Sequence, residues 1–270
     1  MSLSTLGTSI ISHVGMIMVS SMLGLELAGI FFIAFYMGFI LDVPATNFSA
    51  ILRPVLAESL ALNDMQNVDN LYKKSAIVQL ILSGFLFMLL VFNIDQIFTL
   101  MPNGQTYIEG KMVVLIVGAG YVLKNMAGCH FDIMIMSKYY RFSVVVTILL
   151  SFFTIGFYYF FINLFGLPGA AYAAATTTAL NAFIFVVFIY AFYKVLPFSK
   201  KTILLISIFG FISCIAYLLP TFQNAFISIA IKTSIISIIF LNLIYFLKVS
   251  LDINNIVDKF LVKLNVRNPE

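Results

Sequence analysis

The chain is a succession of long apolar runs separated by short polar punctuation. A run of about 20 apolar residues, coiled as a helix, matches the hydrocarbon thickness of a bilayer. Such runs fall at 3–23, 27–52, 75–98, 110–136, 142–164, 169–195, 202–219 and 226–247, so the pattern predicts about eight transmembrane helices. They are continuous rather than alternating, which argues against a β-barrel. Three stretches interrupt the pattern. Residues 53–74, RPVLAESLALNDMQNVDNLYKK, read as an amphipathic cytoplasmic connector. Residues 195–201 hold Pro197 and two lysines. Residues 249–270 form a polar tail with an apolar residue every three or four positions. The connector and the tail are expected as helices lying in the membrane interface. The runs group as six helices over 1–195 and two additional transmembrane helices over 196–248, with a cytoplasmic amphipathic tail over 249–270.

Composition sharpens this to a fold class. Hydrophobic residues make up 62% of the 270, Asp, Glu, Lys and Arg together only 10%, and the mean hydropathy is +1.07. Soluble domains carry roughly 45–50% apolar and about 25% charged residues, and so few charges cannot cover a water-exposed surface. The expected fold is therefore all-α, a polytopic integral membrane helical bundle.

The net charge of +4 is explained by where the basic residues lie. Arg53, Lys73 and Lys74 follow the second run, Lys138 and Arg141 the fourth, and Lys194, Lys200 and Lys201 the sixth. Lys248, Lys259, Lys263 and Arg267 follow the eighth, while the loops on the other side and their flanks hold only Lys111. By the positive-inside rule both termini face the cytoplasm of a multi-pass protein in the inner (cytoplasmic) membrane. Membrane lipid, and no nucleic acid, is the implied partner. Met1–Thr8 contains no Lys or Arg, so no cleavable signal is read there. A first span without its own orientation signal leaves two readings open: helices precede it, or later loops set the topology. Cys129 and Cys214 both fall in apolar stretches and read as small core residues.

Ionisable residues inside spans are candidates for function, because each costs several kcal/mol to bury in lipid unless paired or hydrated. Lys124 lies near the middle of the fourth run, with Gly120, Gly128 and Asp132 at helical spacing around it. It reads either as a cation facing a cavity and an anionic substrate or as half of a structural ion pair. Asp42 lies inside the second run beside Pro44 at a similar depth; an Asp42–Lys124 pair, or proton uptake by Asp42, is expected. His13, mid-span in a serine-rich first run, is a further candidate, with packing as its alternative. Thr176, Thr177, Thr178 and Asn181 in the small-residue run from Gly169 offer either close helix packing or a polar path, with Asn181 as the substrate-facing candidate. His130 and Asp132 are expected to point to different faces, and Lys232 to snorkel towards the outer interface. No Walker sequence, HExxH or Cys/His metal spacing is present, so no cofactor or metal is expected. With three arginines and very short outer loops, an enzyme is disfavoured and a transporter gains.

Three stretches then carry a family resemblance. Met22–Ile40 (MLGLELAGIFFIAFYMGFI), Arg53–Ala76 (RPVLAESLALNDMQNVDNLYKKSA) and Phe165–Asn181 (FGLPGAAYAAATTTALN) resemble, in order and spacing, one lobe of the polysaccharide transporter branch of the multidrug/oligosaccharidyl-lipid/polysaccharide flippase superfamily. These are the Wzx-type O-antigen flippases. Members usually have twelve to fourteen helices in two lobes; the likeness here is to the second lobe plus two C-terminal helices. The resemblance implies flipping of a polyprenyl-diphosphate-linked oligosaccharide for surface polysaccharide (lipopolysaccharide) biosynthesis. It also implies that a second transporter lobe, or self-association, completes the route. Alternatives are a drug or small-metabolite antiporter of the same superfamily, an inactive transporter fragment, or a membrane-embedded glycan polymerase or acyltransferase.

Overall fold

A computed structural model describes residues 14–220, 222–249 and 254. No strand occurs among them. Helix α1 covers Val14–Leu23. Gly24, at φ 94°, separates it from α2 (Leu25–Phe39), which passes through a 3-10 turn, Ile40–Asp42, into α3 (Val43–Ala61). Pro44 sits in the first turn of α3, where its missing N–H costs nothing. The pieces from Leu25 to Ala61 form one 37-residue rod. It turns at Asn63, φ 55°, into the 36-residue α4, Met65–Leu100. The Asp64 side chain caps α4 by accepting from the Asn67 N–H at 3.0 Å.

The connector expected over 53–74 as an interfacial helix is instead the end of α3, a short turn and the start of α4. The two helices meet at a turn at Asn63, and Leu56, Val68 and Tyr72 bury themselves in a shared core.

After α5 (Gly104–Tyr107) and a 3-10 turn comes α6, Lys111–Met126. The run predicted as one helix over 110–136 is broken. The chain leaves α6 at Ala127, passes Gly128 at φ +59°, and restarts as α7, His130–Met136. A Cβ on Gly128 would lie 2.6 Å from Ser75 Oγ and 2.7 Å from the Ala76 amide nitrogen. Only glycine supplies both that left-handed backbone and that approach. The Ser75 hydroxyl accepts from the freed Cys129 N–H at 3.0 Å, as a broken helix in a membrane requires.

Helices α8 (Tyr140–Phe165) and α9 (Leu167–Tyr193) form the predicted hairpin about Gly166, φ +61°. Helices α10 (Lys200–Tyr217) and α11 (Ala225–Phe246) complete the described chain. Seven helical segments among the described residues are long and apolar enough to cross a membrane. They correspond to the second to eighth predicted crossings. Most of the first, and nearly all of the tail, lie outside the described residues.

Three buried apolar clusters organise the bundle. One joins α1, α2, α6, α8 and α9 at the end that holds Gly24 and Gly166. A second joins Leu56, Tyr72, Cys129, Ile133 and Phe185 at the opposite end. The third holds α10 and α11 against α4. Lys232 belongs to this last contact. It does not snorkel: the residue is 6% exposed, and its ammonium faces the Phe92 carbonyl at 3.5 Å. Cys214, expected in the core, is exposed on α10, whereas Cys129 is buried. The chain is a multi-pass, all-helical membrane protein of transporter-like build.

Candidate functional site

Between the first two clusters lies a cavity of about 360 Å³. Each wall comes from a helical repeat of polar or small residues. On the long α2–α3 rod, Asp42, Ala45, Thr46, Ser49 and Arg53 fall at positions i, i+3, i+4, i+7 and i+11, along one face. On α9, Ala174, Thr177, Thr178 and Asn181 do the same as far as i+7. Helix α6 supplies Tyr121, Lys124 and Asn125, and the break and α7 supply Gly128 to Asp132. Phe35, Phe39 and Tyr158 make an aromatic end, and α4 contributes Gln79. Helices α10 and α11 contribute nothing to the lining.

The expected Asp42–Lys124 pair is present. Lys124 Nζ donates to both Asp42 oxygens, at 2.9 Å and 2.7 Å. The carboxylate comes from the 3-10 turn between α2 and α3, the ammonium from the last turn of α6. The ammonium also lies 5.7 Å from the Tyr121 ring centroid. Lys124 lines the cavity.

A second ion pair, absent from the sequence reading, crosses the same two arms. Arg53 Nε donates to Asp132 Oδ1 at 2.8 Å. Asp42 and Arg53 stand eleven residues apart, about 16 Å along a helix, so the two pairs bridge the rod and α6–α7 at two levels. Their order is inverted: acid then base on the rod, base then acid on the facing helices. The four charges cancel, so the cavity is polar without being cationic overall.

His130 and Asp132, expected on different faces, both line the cavity. Two residues apart on α7, they still leave the helix about 200° from each other, His130 towards the Gly128 carbonyl and Asp132 towards Arg53. His130 Nδ1 lies 2.9 Å from the Gly128 carbonyl; a carbonyl only accepts, so Nδ1 carries a proton. The Gln79 amide donates to Ser49 at 2.8 Å, tying α4 to α3 at the cavity wall. Thr154 and Thr177 donate to their own helices, at Leu150 and Ala173, leaving their oxygens free to accept. Asn181 lines the wall as expected. His13 lies outside the described residues.

Arg53 was missed because a basic residue at the end of an apolar run counts as an orientation signal. The available clue was its four-residue step from Ser49 and eleven-residue step from Asp42, which continues the polar face of the second helix.

No protein-family model, curated protein or solved structure matches the chain. Among the described residues no group of His, Cys, Asp and Glu is arranged to hold a metal ion.

Proposed function

We propose that the chain is a membrane transporter, or one lobe of one, that flips a polyprenyl-diphosphate-linked oligosaccharide across the cytoplasmic membrane. The observation that carries this reading is a polar cavity enclosed by apolar membrane helices and crossed by two ion pairs. Buried charge in a bilayer is costly and here it lines a space rather than fixing a packed core. Metabolite-sized pockets span roughly 300–1,000 Å³; about 360 Å³ matches a sugar-phosphate headgroup, not a whole oligosaccharide. The cargo's remaining sugars then need a wider state. Opening of one group of helices against another about the Gly128 break supplies that state in an alternating-access cycle. The lipid tail stays in the bilayer throughout.

The Asp42–Lys124 pair is the element that a proton arriving at Asp42 would separate, since it removes the attraction that keeps the two groups together. With both termini cytoplasmic, the Arg53 end of the cavity faces the cytoplasm, where such a cargo is assembled. The family resemblance of the three sequence stretches supports the same cargo. The balanced charge and modest volume of the cavity favour a second reading, export of a small metabolite.

The test is deletion of the gene, followed by complementation with wild type or with Lys124→Ala. Loss of surface glycan on deletion, with Lys124→Ala lowering export more than protein abundance, supports the flippase reading. Unchanged glycan with an altered spectrum of tolerated small molecules supports the exporter. Equal loss of export and abundance in Lys124→Ala assigns Lys124 a structural role.

A further inference from the structure

We infer that Arg53, and not Lys124, is the cation with which the cavity receives an anionic group, and that this group is a phosphate or diphosphate. The inference rests on the transporter reading and names the part of the cargo that is recognised first.

The two basic side chains of the cavity differ in how much of their hydrogen-bonding capacity is already used. Lys124 commits its ammonium to both oxygens of Asp42, which is buried. An anion can reach that charge only by displacing a carboxylate held on two contacts. Arg53 commits only Nε, to Asp132. The four N–H groups on its two Nη atoms form no hydrogen bond to the described residues. The side chain is 48% exposed, against 26% for Lys124.

The geometry of the free donors matters as much as their number. A carboxylate on Nε occupies one edge of the guanidinium plane. The Nη1–Nη2 edge remains, and it presents two parallel N–H groups in the fork that fits two oxygens of a phosphate. Asp132 is 8% exposed and sits behind the guanidinium, so it fixes the plane in advance and reduces the ordering cost of binding. The carboxylate and an arriving phosphate then contact different edges of one cation.

A second observation on the same wall points the same way. Asn125 lines the cavity, and its buried Nδ2 has no hydrogen-bond partner among the described residues. It too is a donor. Donors without partners are matched by a ligand rich in acceptors and poor in protons, as a phosphate is.

The proposal is tested on the purified full-length chain in lipid nanodiscs by isothermal titration calorimetry, with inorganic phosphate, inorganic pyrophosphate and farnesyl diphosphate as probes. Wild type is expected to bind pyrophosphate. Arg53→Lys keeps the charge but loses the fork and is expected to weaken binding at least about tenfold. Arg53→Gln is expected to lose more affinity than the charge-preserving double variant Asp42→Asn/Lys124→Gln. Thermal midpoints measured alongside separate loss of the site from loss of the fold, and Arg53→Lys keeps the proposal testable if Arg53→Gln does not fold. Tighter binding of farnesyl diphosphate than pyrophosphate, with the same Arg53 dependence, assigns a lipid-linked source; equal binding assigns a free one. Failure of wild type to bind any of the three overturns the inference. So does a folded Arg53→Lys with wild-type affinity, or the reverse order of Arg53→Gln and the double variant.

The two readings fail separately. Intact surface glycan in the deletion strain, with pyrophosphate binding that still needs Arg53, removes the flippase and leaves the site. Glycan export that needs the chain, with binding indifferent to Arg53, removes the site and leaves the flippase.

Discussion

The Lys124 ammonium sits 2.7 Å and 2.9 Å from the two oxygens of Asp42, which is contributed by a different helix 82 residues earlier. The pair joins the centre of the long α2–α3 rod to the end of α6. Removing one partner leaves the other charged and poorly solvated. Full burial makes such a loss cost about 3–5 kcal/mol; the cavity beside Lys124 hydrates it in part, so about 1–3 kcal/mol is expected here. Asp42→Asn should lower the thermal midpoint in detergent, and Asp42→Asn/Lys124→Gln should recover part of the loss. A double variant that is worse than the sum of the two singles would show that the pair is not what couples these helices.

Gly128 carries the break between α6 and α7. An alanine there is forced into a left-handed backbone, costing about 1–2 kcal/mol. Its Cβ also meets Ser75 Oγ at 2.6 Å and the Ala76 nitrogen at 2.7 Å. Gly128→Ala should destabilise the protein by about 2–4 kcal/mol in sum, measured by thermal unfolding. Ser75→Ala should cost less, since it removes the acceptor of the Cys129 N–H without inserting an atom.

Gly120 sets the contact of α6 with α9. Its Cβ would lie 2.8 Å from both Cα and Cβ of Ala175, backbone that cannot yield as a side-chain tip does. Gly120→Ala should cost about 1–3 kcal/mol, and Gly120→Leu should abolish accumulation of folded protein. Size-exclusion profiles of the two variants, compared with wild type, read this directly.

Lys232 is buried between α11 and α4 with a single long contact, 3.5 Å to the Phe92 carbonyl. So weak a contact offsets little of the cost of burying an ammonium. Replacing a buried charge by an apolar side chain of similar volume is often neutral or stabilising. Lys232→Met should leave the thermal midpoint unchanged or raise it, with transport unaffected. A clear drop would mean that Lys232 has a partner in the membrane.

Much of this arrangement could be read along the chain, for reasons that differ from residue to residue. The helical spans followed from runs of apolar residues, and the Asp42–Lys124 pair from equal depth and opposite charge. The break at Gly128 was not legible, because a window long enough to detect a membrane helix averages over three irregular residues and no proline marks them. The residues 53–74 misled in another way: their polarity was taken as contact with the interface. Leu56, Val68 and Tyr72, at 0% exposure each, show that the two helix ends bury their apolar positions against each other.

Helices α10 and α11 share their core with α4 and line no part of the cavity. They are an outrigger: any tilt of α4 carries them with it. Cys214, exposed on α10 while Cys129 is buried, therefore offers a native attachment point for a fluorophore. Distance changes from that thiol to a fixed mark would follow such a tilt without disturbing a single residue of the cavity lining.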